Sequence, residues 1–167
     1  MKTPKKNPPV SKTKRNTPKK ATYNAGNDSI QPIVLNEVSA PPYELSPYQK
    51  IYKIKSGISK KELTSIKEAA RLDYDTLAQL LSVARATLIH KKDHEKFNLN
   101  VSEKILALAD LYSYGYEVFD DVDKFNDWMK EPNLALDNKL PLDLADTMTG
   151  IEELKHLIGR IDYGIFS

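Results

Sequence analysis

The chain has 167 residues with ten prolines, six glycines, 40% hydrophobic residues and no cysteine. That length suits one domain or two small ones, and the lack of cysteine excludes a disulfide scaffold, a thiol nucleophile and a thiolate zinc site. The net charge of +2 hides a polarised chain. Residues 1–20 carry eight Lys/Arg and no acid, whereas residues 113–167 carry five Lys/Arg against twelve acids. Such a split predicts different partners for the two ends. No apolar run reaches the roughly 18 residues of a membrane span. The basic N-terminal stretch lacks the apolar core of a signal peptide, so the expectation is a cytoplasmic protein with no membrane partner.

Residues 1–47 are read as a basic, Pro-rich flexible tail, because Pro, Lys, Asn, Thr and Ser dominate and no helical period emerges. Within it Ile30, Ile33, Val34, Leu35 and Val38 could form a short strand or a docked extended segment. Pro32, Pro41, Pro42 and Pro47 would confine that segment to an edge. The tail is either a loose leader or a basic arm that adds phosphate contacts to a DNA-binding domain.

Helical signals begin at Ser59. Ser59 and Glu62 have capping-box spacing, and Leu63, Ile66 and Ala70 follow on one face. Asp73 is the expected N-cap of a second helix with Tyr74, Leu77, Ala78 and Leu81 inward. A third helix follows a turn at residues 82–84. A fourth starts near Asn100 or Ser102, with Val101, Ile105, Leu108, Ala109, Tyr112 and Tyr116 on its apolar face. Val122, Phe125 and Met129 give a short helix ending before Pro132. Pro141 sits where a helix starts. Ile151, Leu154, Leu157, Ile158, Ile161 and Ile165 form a last helix bracketed by Gly150 and Gly164. No strand alternation runs through residues 48–167, so the fold class is all-α.

The segment Tyr74–Lys92, YDTLAQLLSVARATLIHKK, resembles the helix-turn-helix of Xre-like bacterial regulators. Ala78 is small where two helices would cross, Val83 fills the turn and Leu88 anchors the second helix. Ser82 stands where the motif often has Gly. Arg85, Ala86, Thr87, His90, Lys91 and Lys92 are left as the candidate DNA-binding residues. Arg85 suits a guanine edge, Thr87 a thymine methyl or a phosphate, and the two lysines phosphates. Lys50, Lys53, Lys55, Lys60 and Lys61 form a second basic cluster upstream. The blander alternative is a helical bundle with a solvated basic face. His90 and His94 are four apart, but with no cysteine and no HExxH pattern the expectation is no metal site.

The order of Trp128, Pro132-Asn133, Leu136, Leu140-Pro141-Leu142-Asp143-Leu144, Gly150 and Arg160-Ile161-Asp162-Tyr163-Gly164 resembles the toxin-binding domain of the Xre/MbcA/ParS antitoxin family. That domain follows an Xre-like helix-turn-helix in the family, as it does here. The resemblance covers about residues 48–167. It implies a DNA-binding domain over 48–113 and a toxin-binding domain over 114–167. It implies a type II antitoxin with no catalysis and no cofactor of its own. The implied partners are a RES-domain toxin from the adjacent gene, which consumes NAD or transfers ADP-ribose, and the operator DNA of its own promoter. Trp128, Asn133, Leu142, Leu157, Arg160, Ile161, Tyr163, Gly164 and Ile165 become the candidate toxin-binding residues. The bland reading of Trp128 is a core anchor, with an interface hot spot as the alternative, and the bland reading of Arg160 is a surface salt bridge. The competing function is a free-standing helix-turn-helix regulator without a toxin. Either reading expects a homodimer, because paired half-sites about 34 Å apart multiply specificity.

Overall fold

Most of the described helices start on a side chain that caps them. A computed structural model describes residues 41–164. The basic stretch 1–20, the apolar segment 30–38 and Ile165 lie outside the described residues. Helix α1 (Pro47–Ser56) opens on a Ser46–Gln49 capping box, and α2 (Lys60–Ala69) on the expected Ser59–Glu62 box. Asp73 caps α3 (Tyr74–Leu81), Asn98 caps α5 (Leu99–Phe119), Asp121 caps α6 (Val122–Trp128) and Thr147 caps α8 (Met148–Asp162). Helices α4 (Arg85–His90) and α7 (Pro141–Leu144) have no side-chain cap, and Pro141 occupies the first turn of α7 as expected. The described residues are all-α, with only two isolated β-bridges.

Helix α5 is the axis of the molecule. It buries residues on nearly every side, from Val101 and Ile105 to Tyr112 and Gly115. Helices α1, α3, α6 and α8 and the 3₁₀ turn Pro42–Glu44 all pack against it. The expected junction at residues 113/114 falls inside this helix, so both halves of the chain share one core. At the far end Phe125 is fully buried among the rings of Tyr112, Tyr116, Phe119 and Trp128, at 5.2–5.7 Å between centroids. Gly115 lies beneath it, where an added Cβ would come 2.2 Å from the Phe125 ring.

Polar contacts tie the halves together. The buried Asp110 carboxylate accepts Lys50 of α1 at 2.7 Å through one oxygen and Lys155 of α8 through the other. The Tyr116 hydroxyl and the Asn126 amide both donate to the Ala69 carbonyl, at 2.9 and 3.0 Å. That carbonyl belongs to the end of α2, where Arg71 takes a left-handed conformation, φ 50°.

Several sequence expectations are corrected. Residues 42–46, read as part of the tail, form a 3₁₀ turn and the cap of α1, with Pro42 and Leu45 buried. Helix α1 itself precedes the first helical signal found in the sequence. The upstream basic cluster is not one exposed patch: Lys53 ion-pairs with Glu62 at 2.6 Å, Lys60 is buried and Lys50 turns to Asp110. Gly150 does not precede α8 but sits in its first turn. An added Cβ there would meet the Leu144 carbonyl oxygen at 1.8 Å.

Two measurements test this architecture. Asp110→Ala leaves two partly buried ammonium groups without their shared acceptor, and should lower unfolding free energy by about 2–3 kcal/mol in a denaturant titration. Burial pushes the Glu62 carboxyl up, but hydrogen bonds from Lys53 and Ser59 and the Lys53 charge outweigh it and hold it below the ordinary 4.5. Its contribution is therefore present above that value and lost as pH falls through the depressed folded value. Stability should decline on acidification below about pH 4.5, with a shallower decline in Glu62→Gln.

Candidate nucleic-acid and partner interfaces

Helices α3 and α4 are joined by a turn that requires one left-handed residue. Ser82 supplies it, with φ 54° and ψ 47°. The Val83 N–H returns to the Ala78 carbonyl at 2.9 Å, closing a Schellman-type C-cap. A left-handed non-Gly residue costs about 1–2 kcal/mol. Lys104 of α5 donates to the Ser82 hydroxyl at 2.8 Å and holds the turn to the central helix. The missing Gly therefore leaves the turn geometry intact.

Only Leu88 of α4 is buried, so this six-residue helix depends on its neighbours for position. Lys60 provides the polar clamp. Its ammonium donates to the Leu88 carbonyl in the last turn of α4 and, at 2.8 Å, to the Tyr74 hydroxyl at the start of α3. A cation at a helix C-terminus is favourably placed. The same hydrogen bond from Lys60 lowers the Tyr74 phenol from its usual range, against the opposing effect of burial.

With Leu88 inward, Arg85, Ala86, Thr87 and His90 are exposed along α4, and Ile89 is 41% exposed beside them. The Arg85 Nε donates to Asp75 Oδ1 at 3.0 Å across the α3–α4 crossing. This pair is open to solvent on both sides and worth little in stability. Lys91 ends α4, half-buried, with its ammonium 5.1 Å from the Phe97 ring centroid. Lys92 lies beyond the helix and is exposed. His94 is also past the end of α4, so it shares no helix face with His90. Asp75 and Ile89 are the residues sequence reasoning missed. Asp75 was legible only as a first-turn acid, and its pairing needs the crossing geometry.

The candidate partner residues divide into two groups. Trp128 packs against the core, stacked on Phe125 at 5.7 Å and tilted on Phe119 at 5.5 Å. Leu157 is buried, and half-buried Leu142 packs on the core while its N–H donates to the Met129 carbonyl at 2.9 Å. Asn133 caps the 3₁₀ turn Leu134–Leu136 by accepting from the Ala135 N–H at 2.9 Å. The second group clusters at the end of α8. Arg160, Tyr163 and Gly164 are exposed and Ile161 is half-buried. Tyr163 is 80% exposed, and Gly164 turns the chain with φ 66°. Gly159 lies against Tyr114 of α5, whose hydroxyl would be 3.4 Å from an added Cβ. Its close approach is thus within the chain. Leu134, 86% exposed on its turn, was not singled out from the sequence.

This architecture defines a helix-turn-helix protein whose second half is a helical domain built on the same central helix. Two family models match. The antitoxin Xre-like helix-turn-helix domain covers residues 50–110, and the antitoxin Xre/MbcA/ParS C-terminal toxin-binding domain covers residues 115–164. The chain belongs to this antitoxin family. It is 27% identical over 135 residues to a Sphingobium protein named Prs ADP-ribosylating antitoxin, covering 75% of this chain and 85% of the relative. It is 28% identical over 116 residues to an antitoxin Xre of Yersinia enterocolitica, covering 68% and 78%. It is 34% identical over 73 residues to an antitoxin Xre of Photorhabdus laumondii, covering 43% and 49%.

If Arg85 reads a base edge, Arg85→Ala should relax sequence preference by about 1–3 kcal/mol while leaving thermal stability within about 0.5 kcal/mol, since Arg85 is exposed. Gel-shift competition with operator and scrambled duplex reads the first effect, and a melting curve the second.

Proposed function

We propose that this antitoxin neutralises a RES-domain toxin encoded beside it, one that consumes NAD or transfers ADP-ribose, by inserting the end of its C-terminal domain into the toxin's active-site cleft. The observation that carries the reading is the end of α8 within the matched toxin-binding domain. There Arg160 and Tyr163 are exposed, while Leu154, Leu157 and Ile158 of the same helix hold it to the core. A guanidinium and a phenol at a helix end suit a cleft made for a dinucleotide. Arg160 would occupy pyrophosphate space or pair with toxin carboxylates, and Tyr163 would stack. Trp128, Leu142 and Leu157 support the surface from beneath, and Asn133 shapes the loop beside them. The chain performs no chemistry itself in this reading.

The helix-turn-helix would repress the shared operon as a homodimer in the cytoplasm. Arg85 would read a base edge, Thr87 and Ala86 would face the groove, and Lys91, Lys92 and His90 would contact the backbone. The basic residues 1–20 would add phosphate contacts.

Removing residues 160–167 should abolish toxin neutralisation in a co-expression growth assay and leave operator affinity within about twofold. If the shortened chain still protects cells, the tip does not obstruct the toxin. If even the full chain fails to retain the neighbouring gene's product, the free-standing regulator is the better reading. Deleting residues 1–20 should make the slope of log K against log salt shallower by about 0.9 for each phosphate that the arm neutralises. An unchanged slope would show that the arm does not touch DNA.

A further inference from the structure

Helix α1 is amphipathic in the reverse sense. Its inner face carries Lys50, Lys53 and Ile54, with both lysines in ion pairs to Asp110 and Glu62. Its outer face carries Tyr48, Ile51 and Tyr52 at i, i+3 and i+4, exposed by 85%, 49% and 73%. A helix packed by hydrophobic burial alone would turn the other way, because burying a lysine costs desolvation that its ion pair only offsets. Here the two carboxylates fix the rotation, and the fold holds an aromatic and aliphatic stripe in water. Isolated surface apolar residues are ordinary, but three on one helix face of this kind mark an interaction surface. Tyrosine-rich patches are typical of interface centres.

We propose that this outer face of α1 is where a second copy of the chain docks, with the two α1 helices antiparallel across a two-fold axis near Ile51. The charges are self-complementary in that arrangement. Lys55, exposed at the end of the helix, faces the start of the other copy's α1, where Glu44 is exposed in the preceding turn. Tyr48 of one copy then meets Tyr52 of the other, and Ile51 meets itself on the axis. Antiparallel helices also bring opposite dipole ends together. A contact of this kind is isologous, so it closes at two subunits. It uses no residue of the α8 tip on which the toxin reading rests, although the Pro42–Glu44 turn borders that end of α8 through Tyr43, whose ring centroid is 6.0 Å from that of Tyr114, the residue against which Gly159 lies. The inference supplies the surface for the homodimer in that reading, but self-association can be measured with neither toxin nor DNA.

Sedimentation equilibrium on the full chain alone tests it. The wild type should be a dimer, and Ile51→Glu/Tyr52→Glu should weaken association about 30-fold or more, as loss of a central anchor does, with an unchanged circular dichroism spectrum. Lys55→Glu should weaken association, and adding Glu44→Lys to it should restore the dimer. Restoration by the second charge reversal identifies an antiparallel pair in a way that a folding defect cannot mimic. A monomeric wild type, or a double glutamate variant that associates as tightly as the wild type, would overturn the proposal. So would a monomer whose α1 amides become exchangeable only after residues 1–40 are removed, because the chain's own N-terminal segment would then be the occupant. Toxin retention by the double glutamate variant, scored in parallel, separates failure of the dimer surface from failure of the antitoxin reading.

Discussion

The Asp110 carboxylate is the constraint on which the arrangement of this molecule depends. It is buried on the central helix and faces one ammonium from α1 and another from α8. This side chain therefore joins Glu62 in setting the rotation of α1, and it also contacts the last helix, α8. A single charge could not satisfy both lysines through direct contact unless both helices crossed α5 at the same level. The carboxylate's two oxygens have two separate partners, which adds a directional contact to the packing of both helices on α5.

A shared central helix has a functional consequence. The helix-turn-helix and the toxin-binding half are not beads on a linker. Lys104 of α5 holds the Ser82 turn, and four residues further along the chain Leu108 packs in the core with the α8 residues Leu154 and Ile158. The Ala69 carbonyl, at the end of α2, is held by Tyr116 and Asn126 from α5 and α6. A partner that displaces α8 would thus act on the same helix that supports the α3–α4 turn. The two exposed surfaces nevertheless remain chemically distinct. One offers Arg85, Thr87 and His90 on a short helix, and the other offers Arg160 and Tyr163 at a helix end.

Much of this was legible in the sequence. Capping residues and 3–4 periodicity located α2, α3, α5, α6 and α8 to within a few residues, because those helices bury an apolar stripe. Helix α1 was not legible for the opposite reason: its inward residues are lysines and its aromatic residues face out, so its pattern reads as polar chain. The upstream lysines looked like a nucleic-acid patch because their partners Asp110, Glu62 and Tyr74 come from elsewhere in the chain. The α3–α4 turn was legible despite Ser82, since Ala78, Val83 and Leu88 carry its packing. Exposure divides the candidate partner residues in a way the sequence did not reveal. Arg160 and Tyr163 are exposed where the motif placed them, but Trp128 and Leu157 turn to the core, and only three-dimensional packing separates these roles.

The central claim is that one rigid helical scaffold presents two separate partner surfaces. Hydrogen exchange on the full chain, alone, with candidate operator DNA and with the product of the adjacent gene, tests it most directly. The account requires toxin-induced protection in the last turns of α8 and in the 133–140 loop, and operator-induced protection in α3 and α4. Protection by the toxin confined to α4, or none in residues 133–164, would contradict it.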